Sequence, residues 1–170
     1  MRDDRMKWTA LPEVFLPVRR NGVVITPRDI GRQYLVSGIS TATHGDSAEW
    51  PDVVEGDAYA VRISRDQSLR AGGEAIPTGW QAKALQAGSD MSDGYQVFDV
   101  TGPLAFDTLC RGAELDLNLP SPSVARRLWG MRVLLYRHGN DTTFRLHVER
   151  SFAMPLYAAL ITAADQAEAG

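Results

Sequence analysis

The sequence predicts an α+β domain, an antiparallel sheet with its helices gathered on one face. Two patterns and their order point to it. Phe144, Leu146 and Val148 alternate strictly with Arg145, His147 and Glu149, the period of a strand with one face on a core. Phe152, Leu156, Ala159, Leu160 and Ala163 recur at helical spacing just after it. From Tyr95 onward the elements read strand, helix, strand, strand, helix, an order that segregates helices to one side of a sheet.

Taken in order, residues 1–30 carry Pro12, Pro17 and Pro27 between short apolar patches, which predicts an extended arm rather than a long regular element. An arm holding Trp8, Leu11, Val14, Phe15 and Leu16 is too apolar to float free, so it packs on its own domain or on a partner. Residues 31–170 follow as a single domain, or as two lobes at about 31–93 and 94–170. Gln33 to Ile39 and Ala58 to Ile63 are rich in Val, Ile and Tyr and suit strands. Thr41 to Asp57 is a loop by its Gly, Ser, Asp and Pro content. Asp66 to Gly73 can hold a further short strand, and Pro77 to Gly88 carries too few apolar repeats to assign.

A strand runs from Tyr95 through Val100. Thr101-Gly102-Pro103 then opens a helix with proline at its first position, Leu104 to Arg111 forms that helix, and Gly112 ends it in a left-handed conformation. Leu115 to Ser123 is a connection. Met131 to Arg137 and Thr142 to Arg150 form a hairpin around His138-Gly139-Asn140-Asp141. Ser151 is placed to cap the last helix, with Pro155 in its first turn.

Composition narrows the function. A chain of 170 residues with 44% hydrophobic and 23% charged residues can build its own core. Its net charge of −3, with no basic run longer than Arg19-Arg20 or Arg126-Arg127, argues against nucleic acid as a partner. Such pairs ordinarily lie on a solvated surface. One cysteine, Cys110, forbids an internal disulfide, and no stretch approaches the roughly 20 apolar residues of a membrane span. The expectation is a cytoplasmic protein that enters no membrane.

Reactive chemistry is sparse. No phosphate-cradling glycine motif occurs, so no flavin or nicotinamide cofactor is expected in this chain. His44, His138 and His147 are scattered, and Cys110 has no nearby activating His, so neither a metal site nor a thiol nucleophile is expected. His44, Asp46 and Glu49 read as a solvated loop rather than a cation site. Ser89-Asp90-Met91-Ser92-Asp93 reads as a turn whose side chains bond their own backbone. His147, between Arg145 and Glu149, is placed on an exposed cross-strand ladder. No catalytic, cofactor or metal residue is assigned.

The run Ser89-Asp90-Met91-Ser92-Asp93-Gly94-Tyr95-Gln96-Val97-Phe98-Asp99-Val100-Thr101-Gly102-Pro103-Leu104-Ala105 resembles the sarcosine oxidase gamma subunit family, in which Ser-Asp-x-Ser-Asp precedes a strand and Gly-Pro-x-Ala opens a helix. The resemblance continues through Arg111-Gly112-Ala113-Glu114-Leu115-Asp116-Leu117 and Leu134-Leu135-Tyr136-Arg137. It ends on Phe144-Arg145-Leu146-His147-Val148-Glu149-Arg150-Ser151-Phe152-Ala153, its most specific block. Ala113 stands where family members often have Cys, and Arg127 where they commonly have Thr.

The resemblance implies a fold related to the aminomethyltransferase of the glycine cleavage system. It also implies a non-catalytic gamma-type subunit in a heterotetramer whose larger flavoprotein subunits oxidatively demethylate an N-methylated amino acid. FAD, FMN, NAD and tetrahydrofolate then belong to the partner subunits. Trp8, Phe15, Arg126, Arg127 and Arg150 are the candidate partner-interface residues, with Arg150 placed to pair with an acidic group of this chain or of a partner. Two other readings compete: a free-standing folate-binding or one-carbon transfer protein, and an unrelated interaction module. No residue set carries folate binding over to this chain.

Overall fold

Asn21-Gly22 ahead of the β-branched run Val23-Val24-Ile25 is a strong signal for a two-residue hairpin, and a hairpin forms there. A computed structural model describes residues 15–38 and 47–167. In it, β1 (Val18–Arg20) and β2 (Val23–Arg28) pair across that turn, Asn21 and Gly22 both adopting positive φ, 41° and 77°. The extended arm expected over residues 1–30 is thereby corrected for its second half, which belongs to a sheet. Pro27 is tolerated because β1 begins only at Val18, opposite Ile25, so beyond that point β2 has one sheet neighbour.

The remaining strands are β3 (Gln33–Gly38), β4 (Val53–Val54), β5 (Tyr59–Ser64), β6 (Gln67–Ala71), β7 (Gly79–Gln81), β8 (Gln86–Asp90), β9 (Tyr95–Thr101), β10 (Ala125–Leu128), β11 (Met131–His138) and β12 (Phe144–Glu149). The helices are α1 (Ala105–Gly112) and α2 (Ala153–Asp165), the latter entered through a 3₁₀ turn at Arg150–Phe152. Two sheets result. The first runs β1-β2-β9-β12-β11-β10, antiparallel throughout, with β4 lying parallel beside the end of β11. The second runs β5-β6-β3-β8-β7, also antiparallel.

The helices do lie on one face of the first sheet, as expected. Val23, Ile25, Phe98, Val100, Val133, Leu135, Leu146 and Val148 form that face, and Leu109, Leu156 and Leu160 pack onto it. Each fully buried Leu or Phe contributes about 1.5–3 kcal/mol, so this layer dominates the hydrophobic stabilisation. The opposite face is not left to solvent. Leu134 and Tyr136 meet Val61, Ile63 and Leu69 of the second sheet, with Val54 and Val124 alongside. The fold has three layers, helices, sheet and sheet, where one sheet was expected.

Other local departures have identifiable causes. A further strand, β10, turns the expected unit into strand, helix, three strands and helix; Trp129 and Gly130, both at positive φ, form its tight turn into β11. Strands β7 and β8 fall partly in the unassigned Pro77–Gly88 tract, because backbone pairing such as Gly79 with Gly88 leaves no apolar period. Helix α1 begins at Ala105, not Leu104, and Gly112 is its last residue without positive φ. Gly112 is required for room, since a Cβ there would collide with the Trp129 indole. Ser151 makes no cap: it lies in the 3₁₀ turn, and Phe152 occupies the cap position of α2 with its ring exposed.

Candidate functional site

Strand periodicity and register together assemble a polar cluster between the two sheets. On the face of the first sheet turned toward the second, Asp99 of β9 stands opposite Arg145 of β12, which stands opposite Tyr136 of β11. His147 lies in the next row, between Val97 and Leu134. From the second sheet come Tyr59 of β5 and Gln33 of β3. Of these side chains, Arg145 and His147 were expected to meet water or a partner. Instead Arg145 is almost buried and His147 fully so, which corrects the exposed ladder predicted for His147.

The cluster is a single chain of hydrogen bonds. Arg145 grips Asp99 with two parallel bonds, Nε to Oδ1 at 2.7 Å and Nη2 to Oδ2 at 3.0 Å, and Arg28 Nε donates to Asp99 Oδ2 at 2.7 Å. Arg145 Nη1 donates to the Tyr59 hydroxyl at 3.1 Å. Tyr59 and Tyr136 hydroxyls lie 2.7 Å apart, Tyr136 lies 2.6 Å from His147 Nε2, and His147 Nδ1 lies 2.8 Å from Gln33 Oε1.

Proton counting fixes the direction. Gln33 Oε1 only accepts, so His147 carries its proton on Nδ1 and accepts at Nε2; Tyr136 then donates to His147, and Tyr59 donates to Tyr136. Each member is satisfied only while His147 is neutral.

The electrostatics agree. Burial first, then the Arg145 charge, pushes the His147 pKa down to about 3. Burial alone would raise Asp99, but its bonds to Arg145 and Arg28 outweigh that and hold it below the usual carboxylate range. Burial pushes the Tyr136 phenol far up, reinforced by Tyr59. A general base must reach its substrate, yet the void beside His147, bounded by Tyr95, Arg132, Leu134 and Glu149, holds only about 10 Å³. That is about the space of one water and leaves no place for an organic substrate beside His147, so this cluster reads as a tie that holds the two sheets in register.

The candidate interface residues are dispersed. Trp8 lies outside the described residues. Phe15 packs edge-on against Phe98 and Tyr157, with centroids at 5.1 and 5.3 Å. Arg150 lines a polar cleft of about 450 Å³ with Phe15, Arg28, Gln33 and Asp93; no acidic group pairs with it among the described residues, and its backbone N–H bonds Gly94 O at 2.9 Å. Arg126 and Arg127 point to opposite faces of β10. Arg126 is only 8% exposed and lies 5.7 Å from the centre of the Trp50 ring, whose other cation is Arg137 at 5.5 Å. Arg127 is exposed, 4.0 Å from Glu114.

Elsewhere the chemistry is quiet. Asp90 accepts the N–H and hydroxyl of Ser92 at 2.9 and 2.6 Å, bonds that lower its pKa; the turn expected over residues 89–93 covers only their second half, because Ser89 and Asp90 end β8. Glu49 pairs with Arg62 at 2.6 Å, while His44 and Asp46 lie outside the described residues. Burial, followed by the charges of Asp107 and Asp116, raises the Cys110 pKa, the opposite of thiol activation. Among the described residues no cluster of His, Cys, Asp and Glu is arranged to hold a metal, and no helix is long and apolar enough to cross a membrane.

No protein-family model and no curated protein matches this sequence. Among solved structures it is similar to a chain of the heterotetrameric sarcosine oxidase from Corynebacterium sp. U-96, determined in complex with pyrrole 2-carboxylate. The identity is 21%, the TM-score 0.65, and the match covers 90% of this chain and 90% of that one. This protein therefore has a sarcosine oxidase subunit-like fold.

Proposed function

We propose that this chain is a gamma-type, non-catalytic subunit of a heterotetrameric, cytoplasmic complex that oxidatively demethylates an N-methylated amino acid. In this reading its fold is aminomethyltransferase-like, and FAD, FMN, NAD and tetrahydrofolate are held by the larger flavoprotein subunits. The observation that carries the proposal is the extent of the likeness: nine tenths of each chain aligns, so the correspondence is with a whole subunit chain rather than with a fragment. The buried cluster is consistent with it, because the most chemically capable side chains of the described structure are enclosed and committed to one another. A permanent complex would cover about 2,000 Å² or more of total surface.

Purification of a tagged copy from its native cell tests this. The expected result is co-elution of larger chains whose absorption near about 450 nm reports bound flavin. A colourless 170-residue monomer would overturn it.

A further inference from the structure

Strand β10 and the loop before it carry a group of arginines that the described residues compensate only weakly. Arg127 and Arg132 stand directly opposite each other on β10 and β11, and like charges at such positions destabilise a sheet. Two acidic groups lie near: Glu114 reaches only Arg127, at 4.0 Å from a half-exposed position, and Glu149, which borders the same void as Arg132, forms no ion pair with it. On the other face of the same strand Arg126 is nearly buried, and its guanidinium bonds only the carbonyls of Ser123 and Ala125, at 2.7 and 2.8 Å. Burial pushes its pKa down with no carboxylate to oppose the shift.

Apolar surface adjoins these charges. Leu115 and Leu119 are 71% and 63% exposed, and Leu115 lines a cavity of about 340 Å³ with Glu114, Ala125, Arg126, Arg127 and Arg132. Exposed leucines beside a cationic hollow match the core-and-rim composition of a protein interface.

We propose that this surface docks an acidic segment of the larger partner subunit, a carboxylate settling between Arg127 and Arg132 and an apolar side chain lying against Leu115. Charge complementarity selects that occupant: a second copy of this chain, docked through the same face, would oppose its own arginines. The inference rests on the subunit reading above.

The test places a photo-crosslinking amino acid at Leu115 in the full chain, expressed in the native host and purified as the complex, with Arg127→Gln/Arg132→Gln compared for retention of the larger chains. The expected crosslink maps to an Asp- and Glu-rich peptide of the flavoprotein subunit, and the double variant retains at least tenfold less of it with an unchanged thermal melt. Raising salt from roughly 0.1 to 1 M should weaken the wild-type complex more than the variant's. An intact complex without that crosslink, or with undiminished retention in the double variant, overturns this surface while leaving the subunit reading standing. A crosslink to a second copy also overturns it. If no larger chain co-purifies, both fall.

Discussion

The Tyr136 hydroxyl donates to Nε2 of a wholly buried His147 at 2.6 Å, a direction open only while His147 is uncharged. Its folded pKa, lowered to about 3, lies below the value near 6.5 expected when unfolded. Between those values the unfolded chain binds the proton and the folded chain does not. The contribution is therefore fully present above about pH 6.5 and is lost as pH falls toward 3. Asp99, with its pKa also depressed, acts in the same direction at lower pH. Urea unfolding should show stability falling by up to about 1.4 kcal/mol per pH unit from His147, and His147→Gln should flatten that slope. An NMR titration in which His147 protonates near pH 6 would contradict the geometry.

Breaking the Asp99 and Arg145 pair from one side leaves the other charge buried. Asp99→Asn or Arg145→Leu alone should each cost about 3–5 kcal/mol. The double variant Asp99→Leu/Arg145→Leu should recover a substantial part, read by the urea midpoint, although Arg28 then loses its partner as well.

At Gly112 the backbone is ordinary and the constraint is space. Gly112→Ala should cost about 1–3 kcal/mol through collision with the Trp129 indole, despite alanine's better helix propensity. Adding Trp129→Leu should relieve that collision, so the two substitutions combine less than additively in thermal melts.

Trp50 is buried, donates Nε1–H to Leu117 O at 2.9 Å, and has the Arg126 and Arg137 guanidinium groups near its ring. Trp50→Phe should cost about 2–3 kcal/mol from the lost hydrogen bond and weakened cation–π contacts, measured by chemical unfolding. If Arg126 is held chiefly by that ring, the same variant should raise its solvent exposure, visible as faster guanidinium proton exchange.

Residues with strong local periods were legible. Phe144, Leu146 and Val148 face the helices as their alternation requires, and Leu156, Leu160 and Ala163 of the expected stripe are buried on α2, although Phe152 is exposed ahead of the helix and Ala159 only half-buried. Strands without an apolar period were not: β7 and β8 pair through glycine and small residues, and β10 joins the sheet despite two adjacent arginines. One missed element was available, since Asn21-Gly22 between Val18 and Ile25 is a hairpin signal that the neighbouring prolines obscured.

By itself the sequence determined which strand faces alternate, where the last helix carries its apolar stripe, and that phosphate-binding glycine motifs are lacking. Those are local properties, set by side-chain period and backbone chemistry over a few residues. Only the tertiary structure decided what covers the polar face of β12. Period two states that Arg145 and His147 share a face, but whether that face meets water or Tyr59 and Gln33 of a second sheet depends on pairing between residues 86 and 114 positions apart. A buried cluster and an exposed ladder have the same local pattern, and the long-range packing distinguishes them.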